Sequence, residues 1–199
     1  MPRQPSCYSK FVKGTIMSIQ QLHMPLTRED IKQLRIGDTF EFTGDIFTAR
    51  DAAHNRIRTL LEKGEPLPMD FTGQFVFYAG PCPPKPGKPI GSVAPTTSMR
   101  MDNFVEMTFQ IGMFGMIGKG ERSDFVAELC KKYCGVYLLS IGGASALISN
   151  QVKACESVAF DDLGTESIKR LSVEKLRLIV GIDTKGGAFH AQQIAIYKR

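Results

Sequence analysis

The sequence contains no tryptophan, only three histidines, and no apolar run of the ~20 residues that a bilayer requires. Lacking tryptophan, and with aromatics that do not interleave with Arg or Lys, it offers none of the stacking platforms of single-strand binders. Its 25 Lys and Arg against 20 Asp and Glu leave a net charge of +5. These basic residues are dispersed and accompany no nucleic-acid motif, so a small anionic metabolite is the expected partner, with no nucleic acid and no membrane. Met1 to Cys7 has no apolar core of a signal peptide, which makes a cytoplasmic location the expectation. The cysteines (Cys7, Cys82, Cys130, Cys134 and Cys155) are odd in number and scattered, which favours reduced thiols over a disulfide framework. Cys130 and Cys134 stand at helical i,i+4 spacing with no second pair or histidine to complete a metal site, so packing is expected for both and metal ligation for none. Repeats and low-complexity tails are also missing.

What remains is an ordinary globular composition of 43% hydrophobic and 23% charged residues over 199 positions. A chain of this length buries roughly 70% of its unfolded surface as one domain. We expect a single domain over 1–199, with 1–25 as an extension or arm and weak alternation over residues 8–23. Thr27 should cap a short helix, followed by a strand from Thr39 to Phe47 with a bulge at Thr43-Gly44-Asp45. A helix should then start at Thr48 as N-cap and end at Gly64, with Arg50 in its first turn and His54 one turn further on the same side. Arg50 either pairs with a carboxylate or holds an anion at the helix start; His54, as a lone histidine, is more often structural than a base. Further elements are expected as a strand over 71–78, helices over 123–134, 144–155 and 166–170, and strands over 136–141 and 176–182. This alternation indicates an α/β fold with a mixed sheet.

Between Tyr78 and Met101 lies a loop dense in proline, running from Gly80 to Ile90, whose fixed φ angles suit one held shape. It ends in Gly91-Ser92-Val93-Ala94-Pro95-Thr96-Thr97-Ser98-Met99-Arg100-Met101-Asp102, where three hydroxyls and a guanidinium meet the start of an apolar helix. Hydroxyls can cap the first N–H groups, and the positive helix end attracts a carboxylate or phosphate. Downstream, glycines 112, 115, 118 and 120 surround Lys119, but their spacing is not that of a phosphate-binding P-loop, which makes a nucleotide site unexpected. Two arginines suit the bidentate clamping of carboxylates, so a dicarboxylate is the natural substrate class. A hydroxyl would need help from cations or a metal to move a proton at neutral pH.

Several stretches together carry a family resemblance: Gly44 through His54, Gly91 through Asp102, Ile117-Gly118-Lys119-Gly120, Leu163-Gly164-Thr165-Glu166-Ser167-Ile168 and Ile179 through Asp183. In this order they resemble the β region of the class I, iron–sulfur-dependent fumarate hydratases and tartrate dehydratases. The resemblance implies a swivelling β/β/α domain working with an α region whose three cysteines hold a [4Fe–4S] cluster. No matching triad occurs here, so the implied cluster would sit on a separate α subunit, in a hetero-oligomer of α2β2 type, and none would be bound by this chain alone. Carried over to matching positions, Arg50 and Arg100 would hold substrate carboxylates and Lys119 would add a cation. Thr96 would exchange the proton at carbon, with the adjacent Thr97 lining the substrate or taking that role instead, and His54 would support the site. The implied reaction is hydration of fumarate to (S)-malate or dehydration of L-tartrate. A stand-alone, non-catalytic dicarboxylate-binding module is the reading from another class. Cys82, in the proline loop, departs from the pattern as either a packing group or an exposed, oxidisable thiol.

Overall fold

A computed structural model describes residues 20–141, 143 and 145–198. Their frame is a seven-stranded mixed sheet in the order β1-β2-β3-β4-β5-β7-β6, with a further β2–β7 pairing. The strands are β1 (Gln20–His23), β2 (Thr39–Thr48), β3 (Phe75–Phe77), β4 (Gly115–Gly118), β5 (Val136–Ser140), β6 (Val152–Ala159) and β7 (Ile168–Ile182). Strands β2 to β5 run parallel to one another, while β7 pairs antiparallel with both β5 and β2. The strands β2, β3, β4, β5 and β7 therefore close on themselves, with β1 beside β2 and β6 beside β7. The expected α/β class with a mixed sheet is what the residues form, and the closure makes the sheet partly barrel-like.

Period-two alternation explains the two cores. Phe40, Phe42, Phe75, Phe77, Val136, Leu138, Leu176 and Leu178 share the cluster inside the ring. The residues between them, among them Val76, Met116, Tyr137 and Leu139, point outward, where helices cover them. The helices are α1 (Arg28–Gln33), α2 (Asp51–Lys63), α3 (Val105–Gln110), α4 (Asp124–Tyr133), α5 (Ser145–Gln151) and α6 (Phe189–Tyr197). From α2, Ala53 and Ile57 enter the outer cluster; from α4, Val126, Ala127 and Cys130 do. Each large buried side chain of this kind contributes roughly 1.5–3 kcal/mol.

Thr27 caps α1 through a reciprocal bond with Asp30, Gly64 ends α2 in the left-handed conformation, and the β2–β7 register slips between Phe42 and Gly44, all as expected. Other expectations are corrected. Thr48 does not cap α2: fully buried, its hydroxyl donates to Ser167 O at 3.2 Å and accepts from Lys169 N–H at 3.0 Å, so β2 continues through it and Arg50 becomes the N-cap. The strand expected over 71–78 shortens to Phe75–Phe77 because Gly73 turns the chain at φ 76°. The helix expected over 144–155 stops at Gln151, where Val152–Ala159 pair with β7. A helix over 166–170 is replaced by a 3₁₀ turn, Asp161–Glu166, and the start of β7. Cys130 is buried in the outer core as a packing residue, whereas Cys134 is half-buried and ends α4 in the left-handed conformation. Of the proposed arm, Gln20–His23 lie parallel to β2; residues 1–19 are outside the described set.

Candidate functional site

Parallel strands deliver their C-terminal ends to one edge of a sheet, which is where α/β folds collect ligand-binding residues. Here β2 leads to Arg50, β3 to Tyr78 and Ala79, and β4 to Lys119. The loop before Arg100 is laid across these ends. Thr96 N–H donates to Tyr78 O at 2.8 Å, Ala79 bridges Pro95, and Thr97 bridges Lys119. Ser98 N–H donates to Lys119 O at 3.2 Å, while Lys119 N–H donates to Ser98 Oγ at 2.9 Å. This approach requires Gly118, where an added Cβ would fall 1.9 Å from Ser98 Oγ. The fold thus brings Thr96, Thr97 and Lys119 together, with Thr97 exposed and the other two half-buried.

The arginines reach the same edge from α2 and from the 3₁₀ turn Ser98–Phe104. Arg100 is half-exposed and its Nη2 contacts Asp51 Oδ2 at 2.5 Å, one residue beyond Arg50. Arg50 stands 3.6 Å from Glu166, and its Nε is buried without a partner. The expected hydroxyl cap is corrected: Thr97 precedes the 3₁₀ turn without a side-chain capping bond, and the Ser98 hydroxyl accepts from Lys119 N–H instead. His54 follows Arg50 by one turn of α2 and is buried. It is 2% exposed, between the rings of Tyr78 and Phe104, with Nδ1 2.8 Å from the Arg50 carbonyl. Burial pushes its pKa down to about 4, so it is neutral at pH 7 and Nδ1–H is the donor to that carbonyl.

Sequence reasoning did not single out the carboxylates that organise these cations. Asp51 and Glu166 lie inside quoted motifs and could have been read as their partners. Asp102 is the strongest case: one oxygen accepts from Arg122 Nε at 2.6 Å and the other from Ser123 N–H at 2.8 Å. Arg122 also lies over Tyr137 and Tyr78, at 4.6 and 5.4 Å from the ring centres. This fastens the chain after Lys119 to the turn that carries Arg100. No spacing rule joins residues twenty apart, so the pair had no signal in one dimension.

Thr97 and Arg100 are exposed at this edge, and Arg50, Thr96 and Lys119 are half-buried. Neither the cleft of about 350 Å³ beside Arg122 nor that of about 360 Å³ beside Ser140 is lined by Arg50, Thr96, Arg100 or Lys119. Among the described residues no three His, Cys, Asp or Glu side chains are grouped to hold a metal ion, and no helix is long and apolar enough to cross a membrane.

A family model described as Fumarase C-terminus matches residues 5–193. Fumarate hydratase 1, mitochondrial, of Leishmania major is 41% identical over 172 residues, covering 85% of this chain and 31% of that protein. The anaerobic class I fumarate hydratase of Escherichia coli K12 is 37% identical over 164 residues, covering 81% and 30% respectively. The L(+)-tartrate dehydratase subunit beta of Escherichia coli K12 is 35% identical over 181 residues, covering 88% and 89%. The chain therefore spans about a third of the length of these fumarate hydratases and most of the length of the tartrate dehydratase subunit.

Proposed function

The chain belongs to the family described as Fumarase C-terminus, and on that premise we propose that it is the β half of a hydro-lyase acting on a four-carbon dicarboxylate. The reaction proposed is the reversible hydration of fumarate to (S)-malate, with the β/β/α unit swivelling against an α subunit. The observation that supports this is the loop clamped across β3 and β4, which brings Thr96 and Lys119 to the edge that Arg50 and Arg100 share. Arg50 and Arg100 each present a guanidinium to a substrate carboxylate. Thr96 gives or takes the proton at carbon, and the surrounding cations lower the cost of its alkoxide. The exposure of Thr97 and Arg100 supports a covering partner, since water must be excluded for these charges to act at full strength.

The described residues do not offer the thiolate set of an iron–sulfur cluster: Cys130 is core, Cys82 is exposed, and no metal-holding group includes either. The [4Fe–4S] cluster is proposed for the α subunit, and an α2β2 cytoplasmic assembly belongs to the same proposal. L-Tartrate dehydration is the second reading, favoured by the match over 89% of a tartrate dehydratase subunit.

Anaerobic mixing with the cluster-bearing partner, followed by hydration and dehydration assays on both acids, decides between these readings. A complex with intact cluster and no lyase activity on either acid would sink both. Arg100→Met should lower kcat/KM by at least ~100-fold while leaving assembly intact, as expected for loss of a charge-assisted carboxylate contact. Unchanged turnover in that variant removes Arg100 from the site.

A further inference from the structure

We propose that Glu166 is the positioning residue for Arg50, setting the direction in which that guanidinium meets a substrate carboxylate. The inference rests on the reading of Arg50 as a substrate ligand. Helix α2 begins without a side-chain cap of its own, because its N-cap is Arg50 and that side chain makes no capping bond. The free amide of Ala52 is bonded instead by Glu166 Oε2 at 3.1 Å, from a residue 114 positions later. The other oxygen, Oε1, stands 3.6 Å from Arg50 Nη2. One carboxylate thus spans a helix start and the guanidinium leaving it.

Glu166 is itself held in place from both sides. Before it, the Thr165 carbonyl packs against Gly80, where an added Cβ would lie 2.6 Å from that oxygen and 3.5 Å from Arg50 Cδ. After it, Ser167 O accepts the buried Thr48 hydroxyl at 3.2 Å. At 3.6 Å the contact with Arg50 is too long for a hydrogen bond. It therefore guides the guanidinium electrostatically and leaves its N–H fork free for a ligand. Asp51 differs, since it meets Arg100 at hydrogen-bond distance and occupies a donor.

Glu166→Gln separates the two roles, because the amide oxygen can still accept from Ala52 N–H while the charge facing Arg50 is gone. In the isolated, 15N-labelled full chain, the buried Arg50 Nε–H resonance, identified by its loss in Arg50→Lys, should exchange with water about tenfold faster in Glu166→Gln, with the Ala52 amide unchanged. In the partnered complex, KM for the dicarboxylate that is turned over should rise about tenfold, with kcat within about twofold and an unchanged melting temperature. An unaltered Arg50 resonance overturns the proposal whether or not the complex is active. A fall in kcat together with a fall in melting temperature also overturns it, in favour of a purely structural role. Inactivity of the wild-type complex on both acids would count against the hydro-lyase reading alone, and the resonance would still decide Glu166.

Discussion

Two Arg–Asp pairs sit a few residues apart and do opposite things. Arg122 and Asp102 are buried, with side chains 1% and 5% exposed, and Asp102 uses both oxygens on this chain's own donors. Arg100 and Asp51 are 53% and 35% exposed, at the sheet edge. The first pair is closed to water: both Asp102 oxygens are satisfied by this chain's donors, while Arg122 Nη2 is buried without a partner, so losing Asp102 would leave the guanidinium still less compensated. The second keeps water as a competitor, so another carboxylate can take its place. Burial, rather than residue type, separates the fastener from the gripping group.

The largest expected effect breaks the buried member. Asp102→Asn leaves Arg122 charged and uncompensated among Tyr78 and Tyr137, which should cost about 3–5 kcal/mol of stability. In a chain of this length that is roughly 6–20 °C in melting temperature, measurable by thermal denaturation. A loss below ~1 kcal/mol would show that the buried pair behaves like a surface one, and the contrast would fail.

The same contrast shows what was legible in one dimension. Local rules worked where a few consecutive residues decide the outcome: the Thr27 capping box, the bulge near Gly44, the Gly64 stop and the hydroxyl-rich loop ending at Arg100. They failed where a partner far along the chain decides. Val152–Ala159 is a strand because β7 pairs with it, and β7 runs fifteen residues because β2, β5 and β6 all use it. Helix α6 was missed because its apolar residues do not recur on one face. At the edge, Arg50, Arg100, Thr96 and Lys119 could be named from motifs, while the pairing of Arg100 with Asp51 and of Arg50 with Glu166 joins residues 49 and 116 positions apart, beyond any local rule.

A second effect sharpens the comparison with a titratable group from the buried side. His54 is held down to about pH 4 by burial, against 6.5 in an unfolded chain, with its bond to the Arg50 carbonyl opposing in part. Between those values the unfolded chain binds a proton that the folded chain refuses. Stability should therefore be complete above pH 6.5 and lost as pH falls toward 4, in all on the order of 3 kcal/mol from this group. His54→Gln removes the contribution, so denaturant unfolding of the two proteins at pH 7 and pH 4.5 should show a steeper loss in the wild type. Parallel losses would mean that His54 is charged in the folded chain and faces water after all.

The smallest effect concerns the exposed pair. An ion pair this open contributes about 0–1 kcal/mol, so Asp51→Asn should move the melting temperature by no more than a few degrees. Its functional sign is the informative part. Asp51 Oδ2 occupies an Arg100 donor at 2.5 Å, so a substrate carboxylate must displace it before it can be gripped. Removing the competing charge should lower KM by up to about fivefold, the equivalent of the same ~1 kcal/mol, with kcat little changed. Glu166→Gln is expected to move KM in the opposite direction, because Glu166 stands off Arg50 at 3.6 Å and is anchored on Ala52. Measuring KM for the two variants in the partnered complex therefore separates a carboxylate that competes with substrate from one that aims the residue receiving it. A rise in KM for Asp51→Asn would place Asp51 among the aiming residues, and the exposed pair would then be a second fastener.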